Sequence, residues 1–193
     1  MQNLRSELAA DLQAENYDIT DSGIYFPRTG ILASGEYFGR VNRGEWEKEG
    51  DNLIVNEGLA HILSVALGAT AKPTGYYLAL FNGSASPAGN WTAASFAAVA
   101  GEIVSMTEGY TLATRPQWIP TAALAGSIDN MVAPANLTMA TAGTLNVTGA
   151  ALLTTSARGG TTGVLVSATK YAATRTFQNG DTYELGYRIT LTV

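Results

Sequence analysis

The clearest pattern lies at the C-terminal end, where Tyr183, Leu185, Tyr187, Ile189, Leu191 and Val193 alternate with Glu184, Gly186, Arg188, Thr190 and Thr192. A period of two places one set on each face of a β-strand. Asn179-Gly180 stands before it, the favoured pair of a two-residue turn, and predicts a hairpin between residues 175–177 and this strand. Upstream, Tyr76-Tyr77-Leu78-Ala79-Leu80-Phe81 is a continuous apolar run closed by Asn82-Gly83, the pattern of a buried strand and its turn. Residues 110–119, broken by Pro116 and stopped at Pro120, read as strand-like, as do 127–132, 136–139, 144–155 and 164–169. Strands recurring at roughly ten-residue spacing predict a mainly β protein, an antiparallel sandwich of jelly-roll-like topology. Helical patterns do not alternate with the strands, which excludes a βαβ fold.

Two segments carry a helical period. Leu59, Ile62, Leu63, Ala66 and Leu67 form one apolar stripe, with Asn56 placed as N-cap, Glu57 in the first turn and Gly68 as the stop, so a helix is predicted over about 56–67. Leu4, Leu8 and Leu12 recur every four residues within the first fourteen. So short a helix is marginal alone and needs a surface to pack on, its own domain or a neighbouring subunit. Residues 93–103 are Ala-rich, a composition that could hold a further short helix. Between the N-terminal helix and residue 50, Ile24-Tyr25-Phe26 and Ile31-Leu32 stand among Gly23, Pro27 and Gly30, the pattern of short strands or an extended arm. The expected organisation is an N-terminal helix and arm over 1–49 and a β-sandwich domain over 50–193 that includes helix 56–67.

Charge sharpens this division. Of 16 acids in 193 residues, eleven fall within residues 1–60, beside five of the 11 basic residues. The run Arg43-Gly44-Glu45-Trp46-Glu47-Lys48-Glu49-Gly50-Asp51 reads as a polar, exposed linker. The rest of the chain is nearly neutral and rich in Ala, Thr, Gly and Ser, so hydroxyls and backbone solvate its surface, or partners cover it. A net charge of -5 offers no basic excess for neutralising phosphates, which argues against nucleic acid as a partner. No window approaches the roughly eighteen apolar residues of a membrane-spanning helix, and no signal-peptide pattern opens the chain, so neither a membrane nor a secretory route is expected. The sequons at Asn90, Asn136 and Asn146 are therefore expected to be incidental.

Candidate chemistry is sparse. With no cysteine, there is no disulfide, thiol nucleophile or Cys-ligated metal. His61 is the only histidine; with Glu57 as its helical neighbour, it is expected on the solvent side of its helix as a structural residue. Arg158-Gly159-Gly160-Thr161-Thr162-Gly163 lacks the Lys-Ser/Thr ending of a phosphate-binding loop and precedes a strand pattern rather than a helix. Glu102, Glu108, Asp129, Asp181 and Glu184 stand in no recognisable glycosidase-type motif. Tyr76, Tyr77, Trp91, Tyr110 and Trp118 fit either a sugar-stacking site or core and interface anchors. No catalytic residue, cofactor or metal is expected.

Gly50-Asp51-Asn52-Leu53-Ile54-Val55-Asn56-Glu57-Gly58-Leu59, the run 76–81, Tyr110-Thr111-Leu112-Ala113-Thr114-Arg115-Pro116-Gln117-Trp118, the loop 158–163 and the end 176–193 together resemble the capsid cement or decoration proteins of tailed bacteriophages and prophages. The resemblance covers roughly residues 30–193; comparable layouts occur among tail and fibre proteins. It implies a non-enzymatic β-sandwich on the outer capsid surface, assembled in the host bacterial cytoplasm, self-associating as a homo-dimer or trimer and bridging major capsid subunits. Under it no nucleic acid, membrane or small-molecule substrate is a partner. The N-terminal segment is the expected arm that reaches a neighbour, with Leu4, Leu8, Leu12, Tyr17, Ile24, Tyr25, Phe26, Tyr37 and Phe38 as interface residues. The alternatives are a tail or fibre protein binding a host glycan and, third, a glycan-degrading enzyme using two of the five acids.

Overall fold

The apolar run 76–81 becomes strand β6 (Tyr76–Phe81), and both of its faces find a cover. The computed structural model describes residues 18–20, 23–25, 32–122 and 125–192. Leu78 and Leu80 turn to one core cluster, shared with Leu137, Met139, Val147, Leu152, Tyr183 and Leu185, while Ala79 and Phe81 turn to a second, shared with Trp91, Phe96, Leu153 and Leu165. A strand buried on both faces has no polar side to alternate with, hence the unbroken run.

The chain divides into two compact units, the second being Ala33–Leu191. In the first, β1 (Asp18–Thr20) and β2 (Gly23–Tyr25) form an antiparallel ladder with Ile19 opposite Ile24. The second unit is an antiparallel sandwich. One sheet orders β4 (Glu47–Asp51), β3 (Leu32–Val41), β13 (Thr182–Thr192), β10 (Ala135–Ala140) and β7 (Gly109–Tyr110), with β9 (Ser127–Asp129) also paired to β13. The other orders β5 (Leu53–Ile54), β12 (Leu165–Phe177), β11 (Leu145–Leu153), β6 and β8 (Gln117–Trp118). The chain passes repeatedly from sheet to sheet, in keeping with a jelly-roll-like sandwich. Helix α1 (Asn56–Ala66) packs on β12, and α2 (Ala93–Ala100) buries Ala93, Phe96 and Ala100 in the second core cluster. A reciprocal Thr92/Ser95 capping box starts α2, and Gly101, at φ 67°, ends it.

The alternating C-terminal strand forms as its pattern predicts, with Tyr183, Leu185 and Tyr187 fully buried between the sheets. Its ladder to β9 and β10 is interrupted, and Asn130 fills the gap. The buried Asn130 amide accepts from Tyr187 N–H at 2.8 Å and donates to Leu185 C=O at 3.3 Å, replacing two backbone partners.

Several expectations are overturned. Asn179-Gly180 joins no hairpin, because β12 and β13 belong to different sheets. It turns the corner between them: Gly180, at φ 85°, donates its N–H to Met139 C=O, and the Asp181 carboxylate accepts from Gln178 N–H at 2.7 Å. The strands expected over 164–169 and 175–177 are one continuous β12. Residues 110–119 are not one strand: they hold the last residue of β7 and the whole of the two-residue β8, in opposite sheets. The acidic run 43–51 is largely exposed, as expected, but it is not a linker, since β4 lies within it and pairs with β3, Glu36 opposite Asp51. Residues 33–49 therefore belong to the sandwich and not to an arm. The reason is visible at Glu49, which is 3% exposed: it binds Arg175 Nε through both oxygens (3.0 and 2.9 Å) and accepts from the Tyr183 hydroxyl at 2.8 Å.

The interior holds an unusual number of phenols. Tyr37 lies 3.0 Å from Ser167 Oγ, and the Tyr187 hydroxyl accepts from Ser167 Oγ at 3.3 Å and Asn52 Nδ2 at 2.7 Å. Burial pushes the Tyr110 and Tyr187 hydroxyls up to about 12, and those of Tyr37, Tyr171 and Tyr183 well above the ordinary phenol value. The unfolded chain loses these protons near pH 10 while the folded chain keeps them, so the stabilisation is complete below pH 10 and is lost as pH rises toward each folded value. Stability is predicted to hold to about pH 9.5 and then to fall by about 1.4 kcal/mol per pH unit for each phenol held back. Urea melts at pH 9 and 11 check this, and equal midpoints would contradict it.

Candidate functional site

Helix α1 takes its orientation from its first turn. Its N-cap is Val55, not Asn56, and no side chain caps it. The Glu57 carboxylate instead crosses to other elements, accepting from Ala93 N–H at 2.8 Å and Leu165 N–H at 2.7 Å. Ala93 opens α2, where an amide without a helical partner and the positive end of the helix dipole both favour a carboxylate. Next to it Gly58 lies against β12 so closely that a Cβ there would sit 2.0 Å from Val166 O. These two contacts set the inward face as Gly58, which is buried, with His61, Ile62 and Val65 half-buried beside it at helical spacing.

The predicted stripe is thereby rotated outward. Leu59 is 49% exposed, Leu63 60% and Leu67 83%, and only Ile62 of the apolar stripe's large residues turns in. The three leucines form one solvent-facing ridge at four-residue spacing. Glu57→Ala is predicted to leave two amides without an acceptor and to cost about 1–3 kcal/mol, with Glu57→Gln, which keeps a carbonyl oxygen, milder. Urea denaturation measures both, and an alanine variant within about 0.5 kcal/mol of the parent would refute the clamp.

His61 is not on the solvent side. It is half-buried, its Nε2 3.1 Å from the Tyr76 hydroxyl and its ring edge-on to the Tyr76 ring, and burial holds its pKa below the ordinary histidine value. Beside it a cavity of about 350 Å³ opens between the sheets, walled by Ile62, Tyr76, Trp118, Ile128, Tyr187 and Ile189.

The Gly-rich loop 158–163 is a brace. Arg158 stacks at 3.7 Å on the Tyr110 ring and donates to the carbonyls of Tyr110 (3.1 Å), Leu112, Ile103 (3.1 Å) and Ser105 (2.7 Å). Gly159 N–H donates to Glu102 at 2.9 Å, and Glu102 forms a buried two-pronged pair with Arg115, both contacts at 2.7 Å. No phosphate cradle is formed there, because Arg158 is committed to backbone carbonyls and the Gly159 amide to Glu102.

The other acids are likewise engaged. Glu108 accepts from the Thr141 hydroxyl at 2.6 Å, Asp129 from Arg188 at 3.2 Å, Asp181 from Asn42 at 2.8 Å, and Glu184 from Arg40. Among the described residues no group of three or more His, Asp or Glu is placed to hold a metal ion, and no helix is long and apolar enough to cross a membrane. The five aromatics do not form one platform. Trp91 lies in the second core cluster, Tyr110 is under Arg158, and only Tyr76 and Trp118 meet, ring centroids 6.2 Å apart at the cavity.

The expected interface residues are dispersed. Tyr37 is wholly buried in the core and 4.5 Å from the Tyr187 ring, so it is no arm residue; it lies on the face of β3 that packs on the other sheet, where its hydroxyl meets Ser167. Phe38 takes the opposite face of the same strand, under the Arg188 guanidinium at 5.1 Å. Ile24 and Tyr25 lie in β2, within the other unit. Leu4, Leu8, Leu12, Tyr17 and Phe26 lie outside the described residues, as does the expected N-terminal helix. The leucine ridge was within reach of sequence reasoning as an apolar stripe, but its outward orientation was not. Set against known proteins, the chain matches no protein-family model and no curated sequence.

Proposed function

We propose that this chain is a non-enzymatic virion structural protein that binds the outside of a tailed-phage capsid and cements neighbouring major capsid subunits. The observation that carries the reading is the α1 ridge of Leu59, Leu63 and Leu67. An apolar row of this kind, held out by a clamped helix, is a docking surface. Elsewhere in the sandwich charges are largely spent on one another: Arg40 on Glu184, Arg115 on Glu102, Arg175 on Glu47 and Glu49, Arg188 on Asp129. A surface with few free charges packs against protein at small desolvation cost. A DNA-filled shell is under outward pressure, and each clamp across a subunit boundary adds contact area that must break before the shell opens. The same reading gives self-association as a dimer or trimer, residence on the capsid surface after assembly in the host cytoplasm, and residues 1–29 as an arm that reaches a neighbour.

A tail or fibre protein binding a host glycan is the second reading, and Tyr76 with Trp118 is what favours it. Antibody labelling of intact particles separates the two. Label over the head is expected; label confined to the tail would overturn the cement reading.

A further inference from the structure

The cavity beside α1 is a second feature, independent of the ridge. At about 350 Å³ it far exceeds the gaps left between packed side chains and lies within the range of small-molecule sites. Its walls come from both sheets, with Leu152 and Val166 at the back and Tyr187 and Ile189 opposite. The polar atoms of its walls are already engaged. Tyr76 hydroxyl meets His61 at 3.1 Å, Trp118 Nε1 donates to Tyr187 C=O at 3.0 Å, and the Tyr187 hydroxyl accepts from Asn52 at 2.7 Å. With its indole N–H and phenol groups engaged, such a floor favours hydrocarbon.

The mouth differs. Lys72, Thr74 and Gln117 stand there, and Lys72 is the only charged residue among the described residues lining the cavity. No ion pair among the described residues engages it, in a protein whose other cations are mostly paired. An apolar chamber with one cation and an amide at its rim is complementary to an apolar chain ending in an anion. We infer that the cavity binds an amphiphilic monocarboxylate, its hydrocarbon between Tyr76, Trp118 and Ile189 and its carboxylate at Lys72. This is a bound ligand rather than a substrate, and it stands or falls separately from the capsid reading.

Three probes with one twelve-carbon chain test it on the full chain, each below its micelle concentration: dodecanoate, dodecanol and dodecyltrimethylammonium. Binding is read by calorimetry and by tryptophan emission, because Trp118 lines the cavity. Dodecanoate is expected to bind one-to-one and at least about fivefold tighter than either of the others, the size of one solvent-fringed charge contact. Lys72→Glu, at an exposed position, should remove that preference and leave dodecanol binding unchanged. Ile128→Trp should fill the chamber and abolish binding of all three; should circular dichroism show it unfolded, the Lys72→Glu comparison decides alone. Absence of saturable dodecanoate binding, equal affinity for all three probes, or a dodecanoate preference surviving Lys72→Glu would each overturn the inference.

Discussion

Arg115→Met is expected to destabilise the sandwich by about 3–5 kcal/mol, the range for removing one partner of a buried ion pair. Against a total of about 5–15 kcal/mol for a domain, that leaves it marginal. Neither side chain of the Arg115–Glu102 pair is exposed to solvent. Arg115 also donates to Thr155 C=O at 3.1 Å, and Glu102 accepts from Gly159 N–H at 2.9 Å, so the pair ties the exit of α2 to two loops. Methionine fills similar space but leaves the Glu102 carboxylate buried without a counter-charge. The unpaired charge is the source of the loss, so Arg115→Met combined with Glu102→Leu should be less damaging than Arg115→Met alone. Urea denaturation of the two single variants and the double variant measures the coupling. A loss under about 1 kcal/mol for Arg115→Met would refute it.

The second large effect concerns attachment. Leu59→Glu with Leu63→Glu places two carboxylates on a ridge whose leucines are 49% and 60% exposed. Exposed positions of this kind move folding stability by about 0.5 kcal/mol or less. At the centre of an interface, each change should cost about 2 kcal/mol or more of binding, so the double variant is expected to bind particles about a thousandfold more weakly or worse. Co-sedimentation with particles lacking the protein checks this, with the urea midpoint confirming the fold. Undiminished co-sedimentation would remove the ridge from the account.

How much of this was legible depends on how local each cause is. Strand β13 could be read because its alternation reports a face of its own sheet. Strand β6 could be read because burial on both faces leaves an unbroken apolar run. Strand β3 could not, since its glycines answer to distant side chains: a Cβ at Gly35 would meet the Tyr187 hydroxyl at 2.7 Å, and one at Gly39 the Tyr183 hydroxyl at 2.2 Å. The acids of β4 looked like linker charge because their partner, Arg175, stands 126 residues from Glu49. Helix α1 was legible as a helix but not in its rotation, which Glu57 and Gly58 set through contacts with α2 and β12. At the candidate sites the same rule holds. The ridge leucines were visible as a row, whereas the cavity exists only where β6, β8, β9, β11, β12, β13 and α1 converge.

A protein that holds a shell closed should raise the temperature at which capsids open. Heat-induced opening, followed by release of packaged DNA, is to be measured with the protein absent, restored, or restored as the Leu59→Glu/Leu63→Glu double variant. Opening is expected at lower temperature without the protein, with recovery by the parent chain and none by the double variant. Capsids that open at one temperature in all three preparations would contradict it.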